Sequence, residues 1–194
     1  MQRRFLFLAV FTASLVAAAS AQVQTWKIDT MHSAAQFSVR HLGISTVRGA
    51  FTKVSGTVQY DPAAPEKAVI DATIDASSVD TRVEMRDNDL RSPNYFDVAK
   101  FPTLTFKSKH VAAAGAGKLK VTGDLTIHGV TKEVVLDVEG PSAPVKDPWG
   151  NLRIGASAST KIIRQDYGVS GGGAMVGDEI PITIDLEMTV PAPK

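Results

Sequence analysis

The chain has 194 residues, with 21 basic and 20 acidic side chains, four histidines and no cysteine. Its balanced charge argues against a nucleic-acid-binding surface, and the lack of cysteine excludes disulfides and thiol chemistry. The length corresponds to about one domain.

Residues 1–21 have the layout of a secretory signal peptide. Two arginines precede an apolar and small-residue run, residues 5–19, and the segment ends in the small residues Ala-Ser-Ala. The alternative, a membrane anchor, needs about 20 apolar residues, which is longer than this run. We therefore expect cleavage before Gln22, a periplasmic location, no transmembrane anchor after processing, and one domain spanning residues 22–194.

The first part of the remaining chain alternates between apolar and polar residues. Residues 33–41 place Phe37 and Val39 on one face and polar side chains on the other. Residues 47–60 and 69–76 alternate in the same way. A period of two residues predicts β-strands that each have one apolar and one solvated face.

Residues 79–102 break this alternation and contain many charges. A Thr-x-x-Glu capping box begins at Thr81, and a Ser-Pro pair at Ser92 places a cap residue before a proline suited to a first helical turn. We therefore predict a short helical insertion between strands, with helices at residues 82–91 and 93–99.

Alternation returns after this insertion and continues almost to the end of the chain. It is clearest in the last strand, where six apolar residues alternate from Ile180 to Val190. Eight antiparallel strands with one apolar face each form either a sandwich or an up-and-down barrel. The five strands predicted here are residues 103–108, 118–127, 132–140, 152–160 and 179–190.

The stretch GDLTIHGVTKEV, residues 123–134, places His128 and Gly129 between two of these strands. The apolar residues before His128 have odd numbers, and those after Gly129 have even numbers. A hairpin with an even-length loop requires this switch. Directly opposed residues share a face, and in such a hairpin their numbers have an odd sum, so one is odd and the other is even. We therefore interpret His128 as part of a tight turn rather than as a catalytic base or a metal ligand.

The other histidines and the glycine-rich segment give no support to catalysis or metal binding. His32 and His41 would point to opposite faces of a continuous strand, and no pair has the spacing of a zinc site. Residues 170–178 lack the Gly-Lys-Ser/Thr ending of a phosphate loop. His41 shares the parity of Phe37 and Val39, so we interpret it as a core histidine, with a polar contact inside a cavity as the alternative. We predict no catalytic residue and no metal.

Four segments, in this order, resemble the YceI-like family of bacterial secreted proteins, also called polyisoprenoid-binding-like. The resemblance implies an all-β fold, an eight-stranded antiparallel lipocalin-like barrel that encloses a polyisoprenoid chain such as an isoprenoid lipid or a quinone tail. It implies no catalytic residue, and no cofactor apart from such a bound lipid. The segments are WKIDTMHSAAQFSVRHLGISTVRGAF, DASSVDTRVEMRDNDLRSPNYFDVAKFPTLTF, VTGDLTIHGVTKEVVL and KIIRQDYGV.

Strand parity assigns one apolar face of each strand to the interior of such a barrel. Small residues on these faces, Ala72, Ala76, Ala156 and Ala158, are expected to leave room for a slender ligand. The residues expected to bind this ligand in the lumen are Phe37, Val39, His41, Phe51, Ile70, Ala72, Ile74, Leu104, Phe106, Leu125, Ile154, Ala156, Ile182 and Ile184.

A polar head group would lie at the mouth of the barrel, where we expect Arg86, Arg91 and Arg164 to contact it. The alternative is a solvated surface with local ion pairs, which contribute little to stability. The sequence therefore predicts a periplasmic carrier of an isoprenoid lipid rather than an enzyme. Two alternatives stay open: an enzyme acting on such a lipid, with His41 or a mouth carboxylate as base, and a stress-related structural module with a filled barrel. Pairing of two chains into a homodimer also stays open.

Overall fold

The structure is a computed structural model that describes residues 23–192. The predicted signal peptide lies outside the described residues. Within residues 23–192, no helix is long and apolar enough to cross a membrane. The elements are β1 (Gln24–Ile28), β2 (Ala34–His41), β3 (Ser45–Phe51), β4 (Val54–Tyr60), β5 (Val69–Asp75), β6 (Val79–Asp80), α1 (Glu84–Arg91), β7 (Thr103–Ala113), β8 (Lys118–Ile127), β9 (Val130–Glu139), β10 (Val145–Lys146), β11 (Asn151–Ile163) and β12 (Glu179–Pro191).

The strands close into an antiparallel barrel with eight positions. β1 and β2 follow one another along the same edge of β12, and β3 and β4 follow one another beside them, so each of these pairs fills one position. The order continues through β5, β7, β8 and β9 to β11. β11 pairs with β12 along its whole length, which closes the ring. The predicted barrel is confirmed, and the sandwich is excluded.

Cross-strand pairs show which side chains point into the barrel. Ala72 on β5 lies opposite Phe106 on β7, and Phe106 lies opposite Leu125 on β8. Directly opposed residues in an antiparallel pair share a face, so these three side chains lie together on the inner surface. The core of the protein is therefore the inside of the barrel.

The helical insertion only partly follows the prediction. α1 confirms the first helix but begins two residues later than predicted. The capping box is wrong, because Thr81 donates from its backbone N–H and its hydroxyl to Asp87 and does not cap the helix. The second helix, residues 93–99, is wrong as well, because the chain forms consecutive turns there. Asp97 has a φ of 45°, and a left-handed residue of this kind interrupts a right-handed helix.

The predicted tight turn at His128 is confirmed. Ile127 pairs with Val130, so the loop between β8 and β9 has two residues. His128 and Gly129 have φ values of 51° and 76°, as the twist of a two-residue hairpin requires. The His128 ring packs on Phe101, with 4.4 Å between ring centroids. The histidine therefore closes a turn on the outside of the cavity.

Candidate ligand-binding cavity

A cavity of about 230 Å³ lies inside the barrel and is lined by the inner faces of its strands. All the predicted lumen residues lie on its wall except His41 and Ile154. The location of these wall residues follows from strand alternation, whereas their role in ligand binding stays a prediction. The predicted residues on the wall are Phe37, Val39, Phe51, Ile70, Ala72, Ile74, Leu104, Phe106, Leu125, Ala156, Ile182 and Ile184.

His41 and Ile154 lie elsewhere, for different reasons. His41 is the last residue of β2 and is exposed at the rim of the barrel, where it forms an isolated bridge with Val176. Its interpretation as a core histidine is wrong, because the inner face of the strand ends before this residue. Ile154 is only 2% exposed and lies opposite Met188 in the hydrophobic core, but it is not one of the residues that line the cavity.

Small residues set the width of the cavity. Ala72 and Ala156 lie on its wall, as predicted. Ala76 does not, because it is fully buried in the short turn that precedes β6. Gly49 accommodates an aromatic side chain of the wall, since a Cβ atom at this position would lie 2.5 Å from the Phe37 ring. A larger residue at Gly49 would therefore push this ring into the lumen.

The aromatic residues supplied by loops were missed by strand periodicity. All three tyrosines of the chain line the cavity: Tyr95 and Tyr167 come from segments between strands, whereas Tyr60 is the last residue of β4 and shares the parity of its apolar face. Burial raises the pKa of each phenol, and a nearby carboxylate adds to this effect. Phe96, from the turns after α1, also lines the wall and packs edge-on against Phe51 with 5.3 Å between centroids. The wall around these residues is therefore of low polarity, which disfavours the ionised form of any group placed there.

Two of the predicted mouth arginines, Arg86 and Arg91, lie off the cavity wall. Arg86 donates to the hydroxyl and the carbonyl oxygen of Thr81 at 2.8 and 3.0 Å. Arg91 donates to the carbonyl oxygens of Ser77 and Val79 at 2.8 and 2.7 Å. These bonds fasten α1 to the chain that precedes it. Contact of either arginine with a head group stays a prediction.

Arg164 reaches the cavity wall and is only 5% exposed. A guanidinium has five N–H donors, and those of Arg164 are all engaged at distances of 2.8 to 3.3 Å. The loop between β11 and β12 is therefore folded around this side chain, which has no free N–H for a head group. The five acceptors are the carbonyl oxygens of Val169, Gly171, Gly173, Val176 and Gly177.

A charged cluster lies on the outer face of the barrel. Arg153 donates to Asp29 at 2.8 Å and to Asp147 at 2.9 Å, and it also contacts Glu187. Hydrogen bonds from Arg153 and then His32 hold the pKa of Asp29 at about 2. Burial acts to raise the pKa of Asp147, but its hydrogen bonds, chiefly from Arg153, outweigh this and lower it to about 2. Both carboxylates are therefore ionised at neutral pH.

Three residues of this region resemble a metal-ligand group, which the sequence did not predict. Within residues 23–192, ligand atoms of Asp29, His32 and Glu187 come within 4.8 Å of one another. Glu187 is brought there by the pairing of β12 with β1, so no local spacing signals the group. The guanidinium of Arg153 already neutralises the carboxylates, and the cluster is therefore an ion-pair network rather than a preformed cation site.

A closed barrel of eight antiparallel strands around an apolar cavity defines a class of proteins that can enclose one small ligand. A family model described as YceI-like domain matches residues 26–188. The chain belongs to the YceI-like family.

Relatives and solved structures agree with this assignment. The chain is 38% identical over 157 residues to a UPF0312 protein of Vibrio cholerae, covering 80% of this chain and 82% of the relative. It is 36% identical to Protein YceI of Salmonella agona, covering 91% and 93%. The crystal structure of the Campylobacter jejuni YCEI protein is 32% identical, with a TM-score of 0.69, over 93% of this chain and 99% of that one.

A more distant structure shares the fold. It is a polyisoprenoid binding domain from Saccharophagus degradans, with 19% sequence identity and a TM-score of 0.65, covering 88% of this chain and 100% of that one. This similarity extends the barrel architecture to a protein with little sequence in common.

Proposed function

We propose that the protein is a periplasmic carrier that binds a polyisoprenoid lipid by enclosing its tail in the barrel cavity. The single observation that carries this proposal is the cavity itself, whose wall is almost entirely carbon. Apolar cavities of about 150 Å³ stay dry and take up small hydrocarbons. A cavity of about 230 Å³ exceeds this size, so an apolar chain is the ligand that its chemistry favours.

The tail can supply the affinity without a head-group site. Burial of a methylene group contributes about 0.8 kcal/mol, so one five-carbon isoprene unit contributes on the order of 4 kcal/mol before costs. Association costs roughly 4–15 kcal/mol, so several units leave enough for micromolar binding, about −8 kcal/mol. We therefore assign the wall residues to tail binding, and Arg164 to positioning the loop that completes the wall.

The comparisons support this ligand class. The Saccharophagus degradans protein with the same fold is described as a polyisoprenoid binding domain. A carrier also fits the composition of the wall within residues 23–192, which includes no histidine, aspartate or glutamate. Its polar residues are the three tyrosines, the fully engaged Arg164, Gln36, Ser157 and Thr160. Export through the signal peptide would place such a carrier in the periplasm, and the N terminus of protein from that compartment should then be Gln22.

Extraction of the natively purified protein tests the proposal. We expect organic solvent to release an intact polyisoprenoid, identified by mass spectrometry, at up to one molecule per chain. The variant Ala156→Phe places a ring on the cavity wall and should reduce the recovered lipid several-fold. Ala112→Phe is the matched control, because Ala112 lies opposite the exposed Lys120 on the outer face. Both variants must unfold cooperatively for the comparison to hold.

Two results would contradict the proposal. Equal lipid recovery from Ala156→Phe and Ala112→Phe would place the lipid outside the cavity. Conversion of an added polyprenol into products by the purified protein would favour an enzyme over a carrier. Recovery of the polyprenol unchanged after prolonged incubation is the result that we expect.

A further inference from the structure

Three apolar side chains are exposed together at one end of the barrel. Leu42 and Ile44, at the tip of the β2–β3 hairpin, are 54% and 79% exposed, and Met175, in the loop before β12, is 55% exposed. The Leu42 N–H donates to the Met175 carbonyl oxygen at 2.8 Å, which joins the hairpin to the loop. We call these three side chains the apolar lip.

The backbone of the lip is strained at its most prominent turn. Leu42 has a φ of 52°, and a left-handed conformation costs a residue with a Cβ atom roughly 1–2 kcal/mol. A glycine or asparagine would adopt this conformation at lower cost, whereas a leucine that is 54% exposed gains little from packing. The positive φ itself is set by the tight turn, as at His128, so the feature that points to a function is the choice of an exposed leucine at this position.

The charges around the lip are positive. No Asp or Glu occurs between Asp29 and Asp61, whereas Arg40 and Arg48 flank the hairpin tip. Arg40 donates to the hydroxyl of Thr46 and to a backbone carbonyl, which are neutral groups. Arg48 is exposed, and among residues 23–192 no carboxylate lies within 4 Å of it.

The carboxylates nearest to the lip on the loop side are already paired. Glu179 accepts from Lys161 at 3.0 Å, and Asp178 lies 3.3 Å from the guanidinium of Arg164 and accepts from Gln165 at 2.9 Å. The positive charge of the two arginines is therefore left to act on a partner. An apolar tip flanked by such cations is the pattern of a surface that inserts into an anionic lipid interface.

The lip lies close to residues of the cavity wall. Met175 is followed by Val176, which lies on the cavity wall. On the hairpin, Val39 lies on the wall three residues before Leu42. On both segments the lip therefore lies within three residues of the cavity wall, so a lipid leaving a bilayer at the lip would have a short path to the lumen.

We propose that the apolar lip docks the protein on the surface of an anionic lipid bilayer, with Leu42, Ile44 and Met175 inserted among the acyl chains. A narrow projecting tip suits insertion into a bilayer better than burial in a flat protein interface. The proposal rests on the lip and its charges, and it requires no cargo in the cavity. It goes beyond the proposed carrier function by naming the surface with which the carrier exchanges lipid.

Vesicle co-sedimentation with purified protein tests this proposal. The vesicles contain phosphatidylcholine alone or a mixture with phosphatidylglycerol, and no polyisoprenoid. We expect binding to the anionic vesicles only, weakening as salt is added. The variant Leu42→Ser/Ile44→Ser/Met175→Ser should weaken binding about tenfold or more. Arg48→Gln should weaken it about fivefold, since one cation near an anionic membrane contributes about 1 kcal/mol.

Trp149→Ser is the matched control, because Trp149 is 79% exposed and lies before β11, at the opposite end of the barrel from the lip. It should bind vesicles as the unaltered protein does. Equal losses in the control and the lip variant would reveal unspecific adhesion and overturn the proposal. So would full binding by the lip variant, which would place the contact elsewhere, including the apolar N-terminal segment. If the purified protein yields lipid on extraction but does not bind vesicles, the docking proposal is overturned while the carrier function stands. That result would favour a protein partner at the lip.

Discussion

Replacement of Arg164 by methionine tests whether this arginine holds the loop that completes the cavity. Methionine keeps much of the apolar stem and removes the guanidinium. Five backbone carbonyls between residues 169 and 177 then lose their donor at once. Because Arg164 is only 5% exposed, water cannot replace these bonds while the loop stays closed.

The expected loss follows from the number of these bonds. A hydrogen bond to a charged group contributes about 1.5–3 kcal/mol, so five independent bonds would amount to about 8–15 kcal/mol. This sum equals the whole stability of a typical domain, about 5–15 kcal/mol. The loop will therefore open and solvate its carbonyls before the barrel unfolds, which limits the loss to about 3–5 kcal/mol.

Urea unfolding and hydrogen exchange measure the two parts of this prediction. Arg48→Met is the control, because it removes an exposed arginine and should change stability by no more than about 0.5 kcal/mol. We expect Arg164→Met to lower the free energy of unfolding by about 3 kcal/mol or more and to speed exchange of the amides of residues 169–177. A loss below about 1 kcal/mol with unchanged exchange would refute the reasoning and leave the guanidinium available to a ligand.

Three further predictions concern the wall, the outer cluster and the β8–β9 turn. Because burial raises the pKa of all three tyrosines, tyrosinate absorbance of the folded protein should rise only above pH 10. Unfolding in denaturant should bring the midpoint of this titration back to about 10. A midpoint of about 10 in the folded protein as well would contradict the apolar wall. Because the pKa of Asp29 falls from 3.8 to about 2 on folding, its ionisation stabilises the protein above about pH 4, and this contribution disappears as the pH falls towards 2. Arg153→Gln should flatten this acid dependence in urea unfolding, and an unchanged profile would rule out the ion pair as its cause. Gly129→Ala should cost about 1–3 kcal/mol in thermal unfolding, because Gly129 has a φ of 76° and the new Cβ would lie 2.5 Å from Phe101; Gly150→Ala, with a φ of 88° and open space, should cost less.

Strand periodicity predicts much of the barrel because each strand has one face exposed to solvent and one apolar face inside the barrel. The six alternating apolar residues from Ile180 to Val190 lie in β12, and the parity switch at His128 fixes a two-residue turn. The same rule places most of the wall residues. It fails for His41, where the strand leaves the barrel, and for β1, whose five residues are too few to show a pattern.

The parts that the sequence does not reveal depend on contacts between distant segments. Arg164 binds a loop whose sequence has no periodicity, so the surrounding sequence does not distinguish it from an arginine exposed to solvent. Arg153 lies 124 residues from Asp29 and 34 residues from Glu187, and only the closure of the barrel brings them together. Tyr95 and Phe96 enter the wall from turns, where spacing carries no information about the direction of a side chain.

Dissociation constants of the lipid-free protein for polyprenols of increasing length test most directly whether the cavity binds an apolar tail. Each added isoprene unit should lower the dissociation constant until the lumen is full, after which the value should become constant, at one polyprenol per chain. A dissociation constant that does not depend on chain length, or binding that a short head-group analogue reproduces in full, would contradict the account.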